Sequence, residues 1–491
     1  MFENIFAGFT LLMNWEAITA ILVGVLAGTV VGALPGLTST LGVALLIPFT
    51  FGMPPAAAFG LLGGMYVSSI YGGSITAILI NTPGTPAAAA TTLDGYPMTQ
   101  KGEAGKALGT AIISSFFGGV FGTVALLLIA PILAVLALKV GPPETFLISL
   151  FGLTVIISVS SKSIIKGLMS GAFGLLLGTV GMDSFMGYPR FTFEQIGLYE
   201  GVPLVAALVG FFSIPEALTL AKASQTVQKV EAKIGKVLLS LKEIKSLTPT
   251  FIRSSIIGTI VGIIPGVGTP VACFVSYNEA KRFSKQPEKF GTGIIEGVAA
   301  PETANNAVEG GSFVPLLTLG IPGSAQTAIY LGAMLIQGLR PGPALFSEQG
   351  PVVYSIILGL LIANIFMLLV GLAGVRLFAK VLKLQTNVLV PVIITFAVIG
   401  SYAINNSVFD VGLMFVLGLI GYLMRINGFP IAPVVLALIL GPIGENAFIQ
   451  SLSMFNNNLI LFFTRPLSVV LIILTVFSLV MSIRRELRSQ E

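Results

Sequence analysis

The sequence predicts an all-α polytopic membrane protein of about twelve membrane segments, with re-entrant or broken helices in two structural repeats of inverted topology. Three observations predict it. Only 10% of the 491 residues are charged and 55% are hydrophobic, with a mean hydropathy of +0.96, whereas a soluble domain carries about a quarter charged residues. Apolar runs of about 20 residues, long enough to cross a bilayer, recur along the chain. The third observation is a pattern written twice. Gly32-Ala33-Leu34-Pro35-Gly36 and Asn81-Thr82-Pro83-Gly84-Thr85 are answered by Gly262-Ile263-Ile264-Pro265-Gly266 and Gly320-Ile321-Pro322-Gly323-Ser324. Pro35 and Pro265 lie 230 residues apart, and Pro83 and Pro322 lie 239 apart. Helix breaks at corresponding places in two apolar halves point to a transporter's binding site.

The 57 glycines and 28 prolines fit helices that pack closely and are often interrupted. Backbone freed at a break must then be buried in protein or line a cavity. One cysteine, Cys273, excludes an intrachain disulfide, and its apolar setting predicts a packed small side chain. The absence of histidine removes Ser–His proteolysis, His-ligated zinc, haem ligation by imidazole and histidine proton relays. The net charge of +5 comes without a dense basic patch outside the loops, so it does not argue for nucleic acid. Its use is topological, since Lys and Arg collect on cytoplasmic loops. The N-terminus lacks a basic start and a small-residue cleavage site, so its first apolar run is expected to be retained.

The expected division is a first membrane repeat over 1–220, a basic cytoplasmic linker over 221–253 and a second membrane repeat over 254–491. The first hundred residues hold no Lys or Arg. Apolar pieces at 17–34 and 41–51 flank Pro35-Gly36, and the Gly-rich segment 56–80 stops at Asn81. After the polar connection 94–106, spans read at about 107–128, 131–140 (short, and readable as part of a bent helix), 145–159, 164–180 and 202–220. Residues 182–200 between the last two are a polar, aromatic loop suited to an interface. The linker is basic and reads as a solvated helical loop on the cytoplasmic side. The stretch 254–277 is apolar yet has basic residues on both flanks, Lys245 and Arg253 before it, Lys281 and Arg282 after it. Two half-membrane arms meeting at Pro265-Gly266 reconcile these flanks, so a re-entrant hairpin is expected. The same logic makes 17–51 a hairpin entering from the opposite side. The second half continues with 310–335, broken at Pro322-Gly323, then spans at about 352–379, 388–402, 411–424, 431–440 and 466–483. Arg484, Arg485 and Arg488 place the C-terminus in the cytoplasm.

A helix N-terminus offers unpaired N–H groups and a positive dipole end, and so binds an anion without a buried cation. Thr38, Ser39 and Thr40 follow Pro35-Gly36, and Thr269 follows Pro265-Gly266. Thr85 follows Asn81, Thr82, Pro83 and Gly84, while Ser324 and Gln326, with Thr327, follow Pro322-Gly323. Donors at four such tips could converge on a carboxylate-bearing solute; the alternative is that they are helix caps and packing turns. Glu302, Asn305, Asn306 and Glu309 stand at i, i+3, i+4 and i+7, which makes one polar face on a helix. Their oxygens are hard ligands that suit a coupling cation, with Na⁺ placed near Asn305 and Asn306. The competing reading is a water-facing stripe beside the basic 281–289 loop. No catalytic residue and no cofactor beyond a coupling Na⁺ or H⁺ is expected, and no GxxxxGK[ST] phosphate loop is present.

Gly32–Gly36, Tyr71-Gly72-Gly73-Ser74 through Thr85, Asp94-Gly95-Tyr96-Pro97, Gly320–Ser324 and Phe462-Phe463-Thr464-Arg465-Pro466 carry a resemblance. The most specific string is Glu296-Gly297-Val298-Ala299-Ala300-Pro301-Glu302-Thr303-Ala304-Asn305-Asn306-Ala307. Together they resemble the large membrane subunit of the tripartite tricarboxylate transporter family over essentially the whole chain. The resemblance implies a permease of the bacterial inner membrane. It also implies a small four-helix membrane subunit and a periplasmic solute-binding protein as partners. Uptake of an organic di- or tricarboxylate, citrate being the type substrate, would be driven by an ion gradient without ATP. A channel for small anions and an intramembrane enzyme are the other classes considered; no nucleophile–base motif supports the enzyme.

Overall fold

A computed structural model describes residues 2–34, 37–137, 140–160, 163–183, 185–222, 234–265, 268–381 and 386–490. Among these, eight helices are long and apolar enough to cross a bilayer, and six shorter apolar helices accompany them. The described sheet is one short antiparallel pairing, Gly181–Met182 with Pro189–Arg190.

Two helices form the centre. Pro55–Ile80 and Ile295–Leu319 are buried almost from end to end, as expected of helices enclosed on every side. They also end alike. Asn81 (φ 55°) and Gly320 (φ 71°) take the left-handed conformation. The following amides reach back, Thr82 N to Thr76 O at 3.4 Å and Ile321 N to Pro315 O at 3.2 Å. This motif closes the last turn and redirects the chain into the Pro-Gly segment.

Each central helix carries a helical hairpin on one flank. Trp15–Ala33 and Ser39–Leu46 lie against Pro55–Ile80, and Leu241–Ile263 and Thr269–Phe283 lie against Ile295–Leu319. The second hairpin folds back about Pro265: Ser254 and Ser276, equally far from it in sequence, bring their Oγ atoms to 2.6 Å. Glycines let these backbones touch, which is how helices associate in lipid. The contacts recur at the offsets of the sequence. Gly28 packs on Met65 O and Gly258 on Ala304 O; Gly32 packs on Ser69 O and Gly262 on Val308 O; Gly72 packs on Thr29 O and Gly311 on Thr259 O. The long helices then cross over. Ala104–Ala137 packs on Ile295–Leu319 through Gly118 and Gly122, while Gly350–Val381 packs on Pro55–Ile80.

Two outer groups surround this centre. Leu204–Lys222 contacts Thr386–Asn405 and Val408–Ile426, and Ala432–Met454 contacts Pro142–Ser160 and Ile164–Gly178, with Pro466–Gln490 against Pro142–Ser160. Ion pairs lock both groups. Buried Glu144 accepts from Arg465 at 2.5 and 3.0 Å and from Ser468 at 2.8 Å, and Glu216 pairs with Arg425. A carboxylate in such surroundings must be matched to remain charged.

Several expected boundaries are corrected. Ala104–Ala137 is one helix that runs through Pro131, and Ala432–Met454 runs through Pro442. Proline removes one N–H, but neighbouring helices can satisfy the freed carbonyl, so it need not end a membrane helix. Leu241–Ile263 starts at a capping box formed by Ser240 and Glu243, well before residue 254. Within the described part of the linker, 241–253 is helical and 234–240 is not. The latter stretch runs across Gly105 and Gly109 at the start of Ala104–Ala137. Residues 223–233 lie outside the described set. The 182–200 loop exposes Met186, Tyr188, Phe193 and Ile196. At its base, the amides of Met186 and Phe185 hold the Asp183 carboxyl below the usual carboxylate range.

Candidate functional site

Glu302, Asn305, Asn306 and Glu309 share one face of Ile295–Leu319, and all four are buried. Ala304 and Val308 face the 241–283 hairpin, and Thr303 and Ala307 face Ala104–Ala137. The polar face is turned toward elements of the first half. Asn306 Nδ2 donates to Glu309 Oε1 at 3.0 Å and lies 3.5 Å from Val67 O. Tyr66 Oη stands 3.4 Å from Ser312 Oγ and 3.4 Å from Ser324 Oγ. Glu302 accepts from Thr91 Oγ1 and, at 3.2 Å, from Ser115 Oγ. Burial overturns the reading of this face as a water-facing stripe. The basic loop instead meets the helix's first turn, where Ser284 Oγ donates to Glu296 Oε2 at 2.7 Å.

The two buried carboxylates are not equivalent. Each oxygen of Glu302 has a hydroxyl donor, whereas Glu309 Oε2 has no partner. Asn306 Oδ1 and both polar atoms of the Asn305 side chain are also without partners. Leaving a buried polar group unpaired costs roughly 1–3 kcal/mol, so this face is built in a way that a polar guest would complete. Amide and carboxylate oxygens suit Na⁺, and a carboxylate can take a proton instead. The residues fit either ion.

The helix breaks are brought together within and across the halves. Gly84 packs on Gly32 O, and a Cβ on Gly323 would stand 2.7 Å from Gly262 O. Across the halves, Pro86–Ala89 packs on Thr269–Phe283, where Cys273 meets Ala87 and Ala90, and Ala325–Ile336 packs on Ser39–Leu46. The hydroxyls at the breaks divide into two kinds. Thr38 Oγ1 accepts from Leu41 N at 3.2 Å, and Ser324 Oγ accepts from Thr327 N at 3.2 Å while Ser324 N donates to Thr327 Oγ1 at 2.8 Å. Both are N-caps. The buried hydroxyls of Ser39 and Thr85 have no partner, and Thr40 and Gln326 are half-buried. Thr269 is buried at a helix start that follows Gly268 and has no side-chain cap.

Asn81 and Pro83 are exposed, Thr82 Oγ1 donates to Ile80 O at 3.3 Å, and Gly84, Pro265, Pro322 and Gly323 are buried. Pro35, Gly36 and Gly266 lie outside the described residues.

Sequence reasoning missed Tyr66, Thr91 and Ser115, which carry no local signal because isolated hydroxyls in apolar helices are common packing residues. It noted Asp94 as the start of the polar connection and as part of a family motif, and gave it no role. In the structure Asp94 is fully buried and accepts from the amides of Gly293 (2.7 Å), Gly291 and Ile294 (3.0 Å each) and from Tyr277 Oη (2.8 Å). It thereby ties the first half to the start of Ile295–Leu319. A lone carboxylate after ninety nearly uncharged residues was a signal for such a tie.

Residues 18–436 match the tripartite tricarboxylate transporter TctA family. The chain is similar to an uncharacterized 52.8 kDa protein from the TAR-I ttuC′ 3′ region of Agrobacterium vitis. The two are 39% identical over 490 residues, which covers 100% of this chain and 98% of that protein. A second uncharacterized protein, from the TAR-II ttuC′ 3′ region of the same organism, is 37% identical over 233 residues, 48% of this chain and 96% of that protein. No solved structure matches. With the match spanning most of the chain and the helical architecture in place, this protein belongs to the TctA family, the large membrane subunit of a tripartite tricarboxylate transporter.

Proposed function

We propose that this transporter component is the permease of a binding-protein-dependent secondary transporter that imports organic di- or tricarboxylates, citrate-like in chemistry, using a Na⁺ or H⁺ gradient. The observation that carries the proposal is the buried polar face of Ile295–Leu319, with unpartnered atoms on Asn305, Asn306 and Glu309 where the two halves meet. That face takes the coupling ion. The carboxylate lies at the helix breaks, held by Ser39, Thr40 and Thr85, by Thr269 and Gln326, and by backbone at the four Pro-Gly turns. Thr38 and Ser324 shape the site chiefly as caps. The recurring glycine contacts support two repeats, and basic flanks about 254–277 against flanks without Lys or Arg about 17–51 favour an inverted relation between them. On this reading the chain crosses the bacterial inner membrane about twelve times. The C-terminus is cytoplasmic, and the partners are a small four-helix subunit and a periplasmic solute-binding protein.

The test is uptake of radiolabelled citrate into proteoliposomes holding this chain and the small subunit. The binding protein is added outside, and Na⁺ and pH gradients are imposed separately. Accumulation should require the binding protein and one gradient, and Asn305→Ala should depress it while leaving membrane insertion intact. Wild-type kinetics in Asn305→Ala would remove that residue from the site, and downhill flux without the binding protein would favour a channel.

A further inference from the structure

A second polar feature lies away from the central face. Residues 234–240 cross the start of Ala104–Ala137, with Lys236 O over Gly105 and Val237 O over Gly109, so no side chain separates the strap from the helix. The Lys106–Glu243 ion pair (2.7 Å) fastens its far end. Beside the strap is a cavity of about 350 Å³, walled by Val237 and Leu238 on one side and by Leu372 and Val375 of Gly350–Val381 on the other. Lys236 and Arg376 stand at its rim, and neither is paired with a carboxylate among the described residues. Leu238, which lines it, is 61% exposed. This is the end of the molecule where Lys101, Lys106, Lys242 and Lys245 also cluster, the cytoplasmic end by the charge rule.

We infer that this cavity binds the headgroup of an anionic phospholipid, with Lys236 and Arg376 on the phosphate and the Leu238, Leu372 and Val375 wall against the upper acyl chain. Two free cations above an apolar slot at the membrane surface match such a molecule in both charge and polarity. A soluble phosphate ester would satisfy the cations and leave the exposed leucine wall without purpose. The strap's backbone, packed on Gly105 and Gly109, fixes where Lys236 leaves the chain, and Arg376 comes from the facing helix, which distinguishes this site from the general cationic surface.

The full-length protein in neutral detergent, titrated with phosphatidylglycerol or phosphatidylcholine and read by native mass spectrometry, tests the inference. Phosphatidylglycerol should be retained and phosphatidylcholine lost. The double substitution K236Q/R376Q should weaken phosphatidylglycerol binding about fivefold per charge, or about 25-fold in all. K242Q/K245Q, which removes charges from the same end outside the cavity, should bind as wild type. Leu238→Gln keeps both cations and should weaken the lipid about tenfold through the lost wall, so it probes the same site if the double variant fails to purify. Equal binding by wild type and K236Q/R376Q, equal retention of phosphatidylcholine, or displacement by glycerol phosphate at concentrations equal to the lipid would each overturn the assignment.

Discussion

Pro55–Ile80 and Ile295–Leu319 occupy corresponding places and do different things. Their scaffolding contacts match at a constant offset: Ser69 with Val308, Gly72 with Gly311 and Gly84 with Gly323 make equivalent approaches. Their chemistry does not match. At the same offset Gly63 stands where the second helix has Glu302, Tyr66 where it has Asn305, Val67 where it has Asn306, and Ile70 where it has Glu309. Backbone contact between close-packed helices tolerates only small residues, so that part of the pattern is constrained in both halves. The opposite face touches the other half and is free to diverge. Both carboxylates and both amides fall on one side of the junction, and the first half meets them with the hydroxyls of Thr91 and Ser115 on Glu302 and with Val67 O beside Asn306. The glycine contacts recur in both halves, and the buried acidic and amide side chains of this face are placed in one.

The sharpest test of that asymmetry is Glu309→Gln. It keeps the shape and the bond from Asn306 but removes the charge beside the unpartnered oxygens. Hydrogen bonds to charged groups are worth about 1.5–3 kcal/mol, so gradient-driven uptake should fall roughly 100-fold. Ile70→Val, at the corresponding place in the first helix, should leave uptake near wild type. Glu302→Gln should cost about tenfold or less, since one of the two hydroxyls can donate to the amide oxygen and the other can accept from its NH2 group. Equal losses for the two glutamates would erase the distinction between a held and an open carboxylate.

The scaffold should behave oppositely, with both halves responding alike. A Cβ on Gly262 would stand 2.6 Å from Val308 O, and Gly32 approaches Ser69 O still more closely. Alanine at either position should destabilise by about 1–3 kcal/mol through forced displacement of packed backbone, read as a lowered unfolding temperature in detergent. A large loss in one half and none in the other would break the equivalence of the two hairpins.

The legible parts of this molecule were those written in backbone terms. Pro-Gly pairs and the i, i+3, i+4, i+7 stripe located the breaks, the fold-back about Pro265 and the polar face, whereas the arm before Pro265, Leu241–Ile263, is long enough to cross a bilayer by itself. The bent-helix reading at Pro131 holds, whereas the span ended before Pro442 continues through it, because in a crowded membrane interior neighbouring groups can replace the lost bond. The partners of Glu302 were out of reach for a different reason. Thr91 and Ser115 lie about two hundred residues upstream in sequence, and only the crossing of Ala104–Ala137 onto the second half brings Ser115 close. The capping roles of Thr38 and Ser324 were visible as one of two readings. Sequence alone could not separate them from Ser39 and Thr85, whose hydroxyls remain unpartnered.

Asn81 offers the smallest effect and the cleanest separation of backbone from side chain. It occupies the left-handed position that Gly320 fills in the second half, at φ 55° against 71°. Asn adopts this conformation more readily than most residues, and Gly adopts it without steric cost. Asn81→Ala should therefore cost roughly 1 kcal/mol of stability, and Asn81→Gly should cost little. Uptake decides the rest. Should the exposed amide touch the solute, both variants lose transport, and glycine offers no rescue. Should the position serve only to turn the chain into Pro83-Gly84, Asn81→Gly transports as wild type. That result would make this end of the two central helices alike in function as well as in geometry.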